Sequence, residues 1–286
     1  MKKIMLLALL CLFLTGQKVQ SKTLRLHKEY LAKPLEPTAD DDAIYELRTY
    51  KIRLGNSKNQ KVIISMFNSS VNITGHNSDE VIITTENFNP PPKQAEGLKP
   101  LYNSTEDNTQ LGLGVNKDGN TLNITQATRH GSKYTIKVPK NVAVIYHEIN
   151  WQGGNFMLSD VDGEIEIKLN NGSATLTNVS GPIVANTTNG LLKVKFSKLD
   201  QDKPSAISSI NGNVDITLPT NTKANLKLKS INGEIYTDFD LKIKQDAKSD
   251  LPRIAGGNNI DGQINGGGVE MSINTINNNI FIRKNK

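Results

Sequence analysis

A short phrase recurs along the C-terminal half of this 286-residue chain, and it leaves the chain few ways to fold. The phrase is a turn pair ending in glycine, one free residue, and then alternating apolar positions. It appears as VDGEIEI (161–167), NNGSATL (170–176), VSGPIVA (179–185) and TNGLLKV (188–194), then as INGNVDI (210–216), INGEIYT (231–237) and IDGQING (260–266). A glycine-free relative, INNNIFI, lies at 276–282. Gly163, Gly172, Gly181 and Gly190 are spaced nine apart, and Gly212, Gly233 and Gly262 continue the phrase at wider intervals. Asn-Gly and Asp-Gly pairs favour tight turns because both residues tolerate positive φ, so these seven glycines are expected at turns.

The register that follows each glycine is constant. Two residues on, the side chain is Ile165, Ala174, Ile183, Leu192, Val214, Ile235 or Ile264, apolar every time. Alternation then continues, with Ile165, Ile167 and Leu169 separated by Glu166 and Lys168. Successive strand residues face opposite sides, so one face is oily and the other wet. A one-residue slip would turn every apolar side chain outward. A unit that cannot bury its own oily face must stack on its neighbours. The chain is therefore read as all-β, a β-solenoid resembling a parallel β-helix, with a two-sheet β-sandwich as the alternative.

The first half is less regular, though Lys61–Met66, Ser69–Thr74, Glu80–Thr85, Thr121–Thr125 and Tyr134–Val138 all read as strands. Residues 89–110 read as a long loop or insertion that buries little, because they are polar and rich in proline. Residues 46–286 are taken as one β-repeat domain, preceded by a partly ordered leader at 22–45. An uncapped coil end would expose strand edges, so the Thr121–Val138 strands or the Asn277–Arg283 strand are expected to shield one.

The first 21 residues have the layout of a secretory signal peptide: Lys2 and Lys3, an apolar run from Ile4 to Leu14, and a polar exit. The run falls short of the ~20 apolar residues that a membrane-spanning helix needs. Cys11, the only cysteine, lies inside it, so a chain cleaved after Ser21 has no disulfide and depends on packing and backbone pairing. The net charge of +6 is spread as single lysines, which argues against a nucleic-acid site.

The string SSINGNVDITLPTNTKANLKLKSINGEIYTDF, with its alternating turn-glycine, strand, Leu-Pro, strand order, resembles the putative adhesin domain of unknown function, the DUF4097 type. The tail INGGGVEMSINTINNNIFIRK (264–284) is similar to that family's ending, with Asn278 standing where glycine is commoner. The left-handed geometry that asparagine tolerates should preserve this turn. The resemblance covers about residues 130–286 and implies a β-solenoid in the bacterial envelope or at its surface. It carries over no catalytic residue.

The sequence itself offers no catalytic constellation. His27, His76, His130 and His147 are not at metal-ligand spacing, and no cofactor motif is complete. Asp160, Asp162, Glu164 and Glu166 would share one face of a straight strand, where they could hold calcium or perform acid–base work. Solvated residues opposite an oily face are the preferred reading of all four. Tyr146, Trp151 and Phe156 form the one aromatic concentration, a sugar-stacking platform or a packing closure. Lys193, Lys195, Lys227 and Lys229 could meet anionic polysaccharide or lipid headgroups, although edge lysines also deter sheet-to-sheet association. These seven residues make up the candidate ligand face.

The functional expectation is an exported, non-catalytic, adhesin-like binding or scaffold module, located in the periplasm, on the cell surface or outside the cell. A polysaccharide or another envelope protein is its candidate partner. A carbohydrate-active β-helix enzyme and a structural partner within an envelope complex are the alternatives.

Overall fold

Alternation of apolar and polar residues produces 21 strands among the described residues. The computed structural model describes residues 47–55, 57–86, 88–243 and 258–286, all within the unit Tyr45–Lys286. The expected signal peptide, the leader, Cys11 and His27 lie outside the described residues.

The N-terminal part supplies β1 (Arg48–Arg53), β2 (Lys61–Met66), β3 (Ser70–His76), β4 (Glu80–Thr85), β5 (Leu113–Asp118), β6 (Thr121–Gln126) and β7 (Lys133–Pro139). The regular repeat follows with β8 (Ala143–Glu148), β9 (Phe156–Ser159), β10 (Ile165–Leu169), β11 (Ala174–Val179) and β12 (Ile183–Thr187). It continues through β13 (Leu192–Phe196), β14 (Ser205–Ser209) and β15 (Val214–Pro219). The C-terminal part adds β16 (Ala224–Ser230), β17 (Ile235–Thr237), β18 (Lys242–Ile243), β19 (Asn258–Ile264), β20 (Val269–Thr275) and β21 (Ile280–Asn285).

Successive strands of the repeat alternate between two sheets, so two nine-residue units make one turn of a coil. One sheet runs β1-β4-β7-β3-β9-β11-β13-β15-β21-β17, and the other β18-β19-β16-β20-β14-β12-β10-β8-β2-β6-β5. Pairing inside the repeat is parallel and in register, as Ile165 on Ile183 and Leu192 on Val214 show. The chain is a β-solenoid: its inward residues stack into aliphatic columns such as Ile73, Leu158, Leu176, Val194, Ile216 and Ile282, all buried.

The repeat glycines lie at the corners of the coil, but not for the reason their turn chemistry predicts. None of Gly163, Gly172, Gly181, Gly190, Gly212 and Gly233 has a positive φ. Each is instead a point of close backbone stacking. A Cβ on Gly172 would come within 2.6 Å of the Gly154 carbonyl oxygen one rung below, and a Cβ on Gly190, Gly212 or Gly181 closer still to the carbonyl of the glycine beneath it. Gly163 and Gly181 line one corner; Gly154, Gly172, Gly190 and Gly212 line the other. Asn278 joins this second column with an ordinary φ, and its carbonyl lies beneath Gly233.

Gly262 corrects the sequence reading, since it lies in the middle of β19, opposite Leu226. A side chain there would collide with Leu241, and the turn falls later, at Asn265, Gly266 and Gly267, all with positive φ.

The coil is not laid down in sequence order at its ends. The β2–β3 rung sits between β6–β7 and β8–β9, and the β20–β21 rung between β14–β15 and β16–β17. The Asn277–Arg283 segment is therefore interior, not an end shield. Antiparallel strands cover the outer parallel rungs: β5 on β6, β4 on β7 with β1 beyond it, and β19 on β16. β6 and β7 thus form the outermost parallel rung at their end but are themselves covered.

Candidate functional site

The candidate ligand face does not assemble as one face. Tyr146 and Phe156 are core residues, about 1% exposed, with ring centroids 4.3 Å apart across the coil interior. They fill one turn; in the next, the small Ala174 stacks on Phe156 and Ile167 on Tyr146. Burial pushes the Tyr146 hydroxyl up from its ordinary value, with the neighbouring Glu148 carboxylate adding to the shift. Trp151 stands apart on the β8–β9 loop, 62% exposed. Lys193 and Lys195 point outward from β13 in one sheet, whereas Lys227 and Lys229 point outward from β16 in the other. Lys227 is paired with Glu270 at 2.6 Å, and this partner raises its pKa.

The four carboxylates are likewise separated, because the β9–β10 corner bends the chain between them. Asp160 accepts from the Asn178 amide and Asp162 from the Ser180 hydroxyl, each at 2.5 Å. Glu164 pairs with Lys203 at 3.1 Å, and Glu166 faces His147 at 3.9 Å. Among the described residues, no three His, Cys, Asp or Glu side chains come together as metal ligands would. His76 bonds the Glu80 carbonyl at 2.8 Å, and His130 is exposed.

Three features emerge that sequence reasoning missed. The first is an asparagine ladder beside the second glycine column. Asn232 donates to Asn277, Asn277 to Asn211, Asn211 to Asn189, and Asn189 to Asn171, at 2.5–2.9 Å. Asn171 ends the ladder on the Trp151 carbonyl at 2.6 Å. Its sequence signal is the Asn before each corner glycine of the second column from Gly172 onward, and before Asn278 in the glycine-free phrase, but the order of its members follows the coil rather than the chain.

The second is an outward aromatic pair. Tyr236 and Phe281 stack at 5.4 Å and 11° on adjacent rungs. The Arg283 guanidinium, paired with Asp215, lies 5.0 Å from the Phe281 ring. Tyr236 belongs to the last strand of its sheet and is 51% exposed.

The third is the 88–110 segment, which is built into the end of the coil rather than loose upon it. The Asn108 side chain bonds both the N–H and the C=O of Val115 at 2.8 Å, acting as one more strand residue along β5. Asp107 accepts from the Gly112 and Thr109 N–H groups, and Ser104 donates to the Gln126 carbonyl at 2.6 Å. The segment encloses an open cavity of about 970 Å³, lined by Phe88, Pro91, Leu98 and Pro100 with Arg48 and Asp107 on its walls. Its outer turn carries Leu98, Leu101 and Tyr102 into solvent.

A coil of parallel strands with polar columns outside and a loop-built end defines a class of β-solenoid domains rather than a single protein. Residues 136–283, just over half of the chain, match the family model described as Toastrack DUF4097. The chain belongs to that family. No curated protein matches it. It is similar to the structure of a putative cell adhesion protein from Clostridium sporogenes, with 11% identity, 84% of this chain and 99% of that chain covered, and a TM-score of 0.44. It is also similar to a putative adhesin from Bacteroides fragilis, with 10% identity, coverage of 84% and 97%, and a TM-score of 0.36. Among the described residues, no helix is long and apolar enough to cross a membrane.

Proposed function

We propose that this protein is an exported, non-catalytic binding or scaffold module of the bacterial envelope, adhesin-like in acting through many fixed surface contacts. The observation that carries this reading is the hydrogen-bonded exterior of the coil. The asparagine ladder ties side chains from five rungs into one polar column. The carboxylates that could have served as acid and base are instead committed to neighbours. Such a surface presents preordered donors and acceptors, so a partner binding along it orders few further side chains. The signal-peptide layout of residues 1–21 supports export, and membership of the Toastrack family is consistent with it.

Protease shaving of intact cells, with a periplasmic protein as the leakage control, tests the location. Loss of the protein from unbroken cells is the result expected of a surface adhesin. Survival until the outer membrane is breached would exclude the adhesin role and leave a periplasmic scaffold. Retention in the cytoplasm with residues 1–21 uncleaved would overturn the export reading itself.

A further inference from the structure

The two outer faces of the coil differ in charge. In the sheet that begins at β1, the successive strands β1, β4, β7, β3, β9, β11 and β13 contain one carboxylate, Glu80, and it pairs with Arg53 at 3.0 Å. The other sheet interleaves Glu166, Glu270 and Asp261 with its lysines. Lys51, Lys137, Lys193 and Lys195 are exposed on the first sheet, and none has an ion-pair partner among the described residues.

The nearest carboxylates do not cancel this excess. Glu86 follows β4, where the antiparallel register sets it beside Lys133 rather than Lys137. Asp160, at the corner beyond Ser159, is bonded by the Asn178 amide. Asp215 stands across from Lys193 but already holds Arg283 at 3.0 Å. Lys51, Lys137 and Lys195 have no carboxylate in register with them at all.

The pairing places these cations in order. One outward row runs Lys51, Ile82, Lys137, Thr74, Ser159, Thr177, Lys195, each residue in register with the next. At ~4.8 Å per strand the row is about 29 Å long, with Lys51 and Lys137 about 10 Å apart and Lys195 about 19 Å further on. Three hydroxyls fill the interval, and the Ser159 hydroxyl donates to Thr74 at 3.4 Å. The row beside it carries Asn72, Met157, Thr175 and Lys193.

This chemistry selects among polyanions. The aromatic residues of these strands, Tyr50, Tyr134, Phe156 and Phe196, all belong to the inward set, so the face offers no ring on which a base could stack. Its outward apolar side chains are only Ile82 and Met157, too few to seat in a bilayer. Hydroxyls and an amide between lysines match a ligand that alternates anionic groups with hydroxyls. We infer that the outer face from β1 to β13 binds an anionic polysaccharide laid along the coil, its acidic groups on Lys51, Lys137, Lys193 and Lys195 and its hydroxyls on Thr74, Ser159 and Thr177. This inference rests on the proposed binding role and names the partner class for it.

The test measures purified full chain by biolayer interferometry against immobilised polygalacturonate, dextran sulfate and neutral dextran. Wild type is expected to bind at least one anionic polymer saturably, more weakly as salt is raised, and to ignore dextran. Lys137→Gln/Lys195→Gln should weaken binding by about tenfold or more. Lys227→Gln/Lys229→Gln removes the same charge from the other sheet and should leave affinity within about twofold of wild type, because those lysines lie outside the face. All three proteins share residues 1–21, and equal thermal midpoints verify that the exposed substitutions leave the fold intact. Absence of binding to both anionic polymers, or equal losses in the two variants, would overturn the proposal. Tighter binding to double-stranded DNA or to phosphatidylglycerol vesicles than to either polysaccharide would overturn it as well, making the face a nucleic-acid or lipid surface. Purified protein makes no use of the export signal, so failure here leaves the envelope module, with a protein as its partner, standing.

Discussion

Replacing Gly212 with alanine tests whether rung stacking, rather than turn conformation, fixes the corner glycines. A Cβ at Gly212 would lie 1.7 Å from the Gly190 carbonyl oxygen and 2.4 Å from its carbon, both backbone atoms that cannot rotate away. Relieving the overlap requires the two rungs to separate locally by roughly 1.5 Å from their ~4.8 Å spacing. The hydrogen bonds beside that corner run from Asn211 N to Thr188 O at 2.8 Å and from Leu192 N to Asn213 O at 3.0 Å. The Asn211–Asn189 bond of the ladder, at 2.6 Å, lies next to them. A stretch of that size takes all three out of bonding range, and each is worth about 1–1.5 kcal/mol. The expected destabilisation is about 3–5 kcal/mol, read as a lowered denaturant midpoint in unfolding followed by circular dichroism. Gly119→Ala is the control. Gly119 has φ +54° with nothing within 4 Å of an added Cβ, so only left-handed strain of about 1 kcal/mol applies. If Gly212→Ala costs no more than Gly119→Ala, the stacking argument is wrong and the corner tolerates a side chain.

Two further outcomes follow from buried polar groups. Burial pushes the Tyr134 hydroxyl up to about 12, with the negative Asp107 adding to the shift against a lowering from the Ser132 hydrogen bond. Between pH 10 and 12 the unfolded chain releases this proton while the native chain keeps it. Stability should therefore be fully present below pH 10 and fall by up to ~1.4 kcal/mol per pH unit as pH rises to about 12. Tyr134→Phe should flatten that part of the alkaline decline in denaturant melts, and an unchanged slope would refute the assignment. Glu148, 4% exposed, accepts from the backbone N–H groups of both Asn170 and Asn171 at the start of the second corner column. Glu148→Ala leaves those two donors without their acceptor and should cost about 2–4 kcal/mol. Glu148→Gln, which keeps an acceptor oxygen, should recover a large part of that loss in thermal melts.

The register of the repeat was legible in the sequence because it depends only on local alternation. Ile165, Ile167 and Leu169 face inward whichever rung lies next to them, and all three are buried. What lay beyond reach depends on which rungs become neighbours. Tyr236 and Phe281 stack because β17 and β21 pair, 45 residues apart in the chain, and no local pattern announces it. Of the two readings of the aromatic concentration, packing holds for Tyr146 and Phe156, for a related reason. Tyr146 and Phe156 read as ordinary strand aromatics until the two sheets bring their rings together across the coil interior, with the small Ala174 stacked on Phe156. The corner glycines were found by their spacing, but an Asn-Gly pair looks the same whether glycine supplies a left-handed turn or room for a carbonyl above it. The 88–110 segment looked poorly packed because its anchors, Asn108 and Asp107, act through polar side chains on backbone rather than through apolar burial.

The out-of-order rungs bear on how such a coil avoids joining its neighbours. A parallel coil that simply stopped would leave a row of unpaired backbone groups in the direction of growth, ready to accept another chain. Here the terminal segment β20–β21 is drawn one rung inward, and its place at the end is taken by β16 and β17. The connection after β17 then returns through β18 and β19, and β19 lies antiparallel on β16. A similar exchange at the other end draws β2–β3 inward and leaves β4, β1 and β5 as antiparallel covers. An antiparallel cover reverses the hydrogen-bond pattern, so a second coil cannot continue the parallel stack in register. In the β4–β1 sheet the cover also sets Arg53 against Glu80 at its outer margin, and inward-drawn rungs make each end depend on distant sequence for its closure. The sheet that ends at β17 keeps only a three-residue parallel edge, the shortest exposure the arrangement leaves in that sheet. Apart from that edge, closure thus comes from rearranging the last turns of the coil and covering them with antiparallel strands, β1, β4 and β5 at one end and β19 at the other.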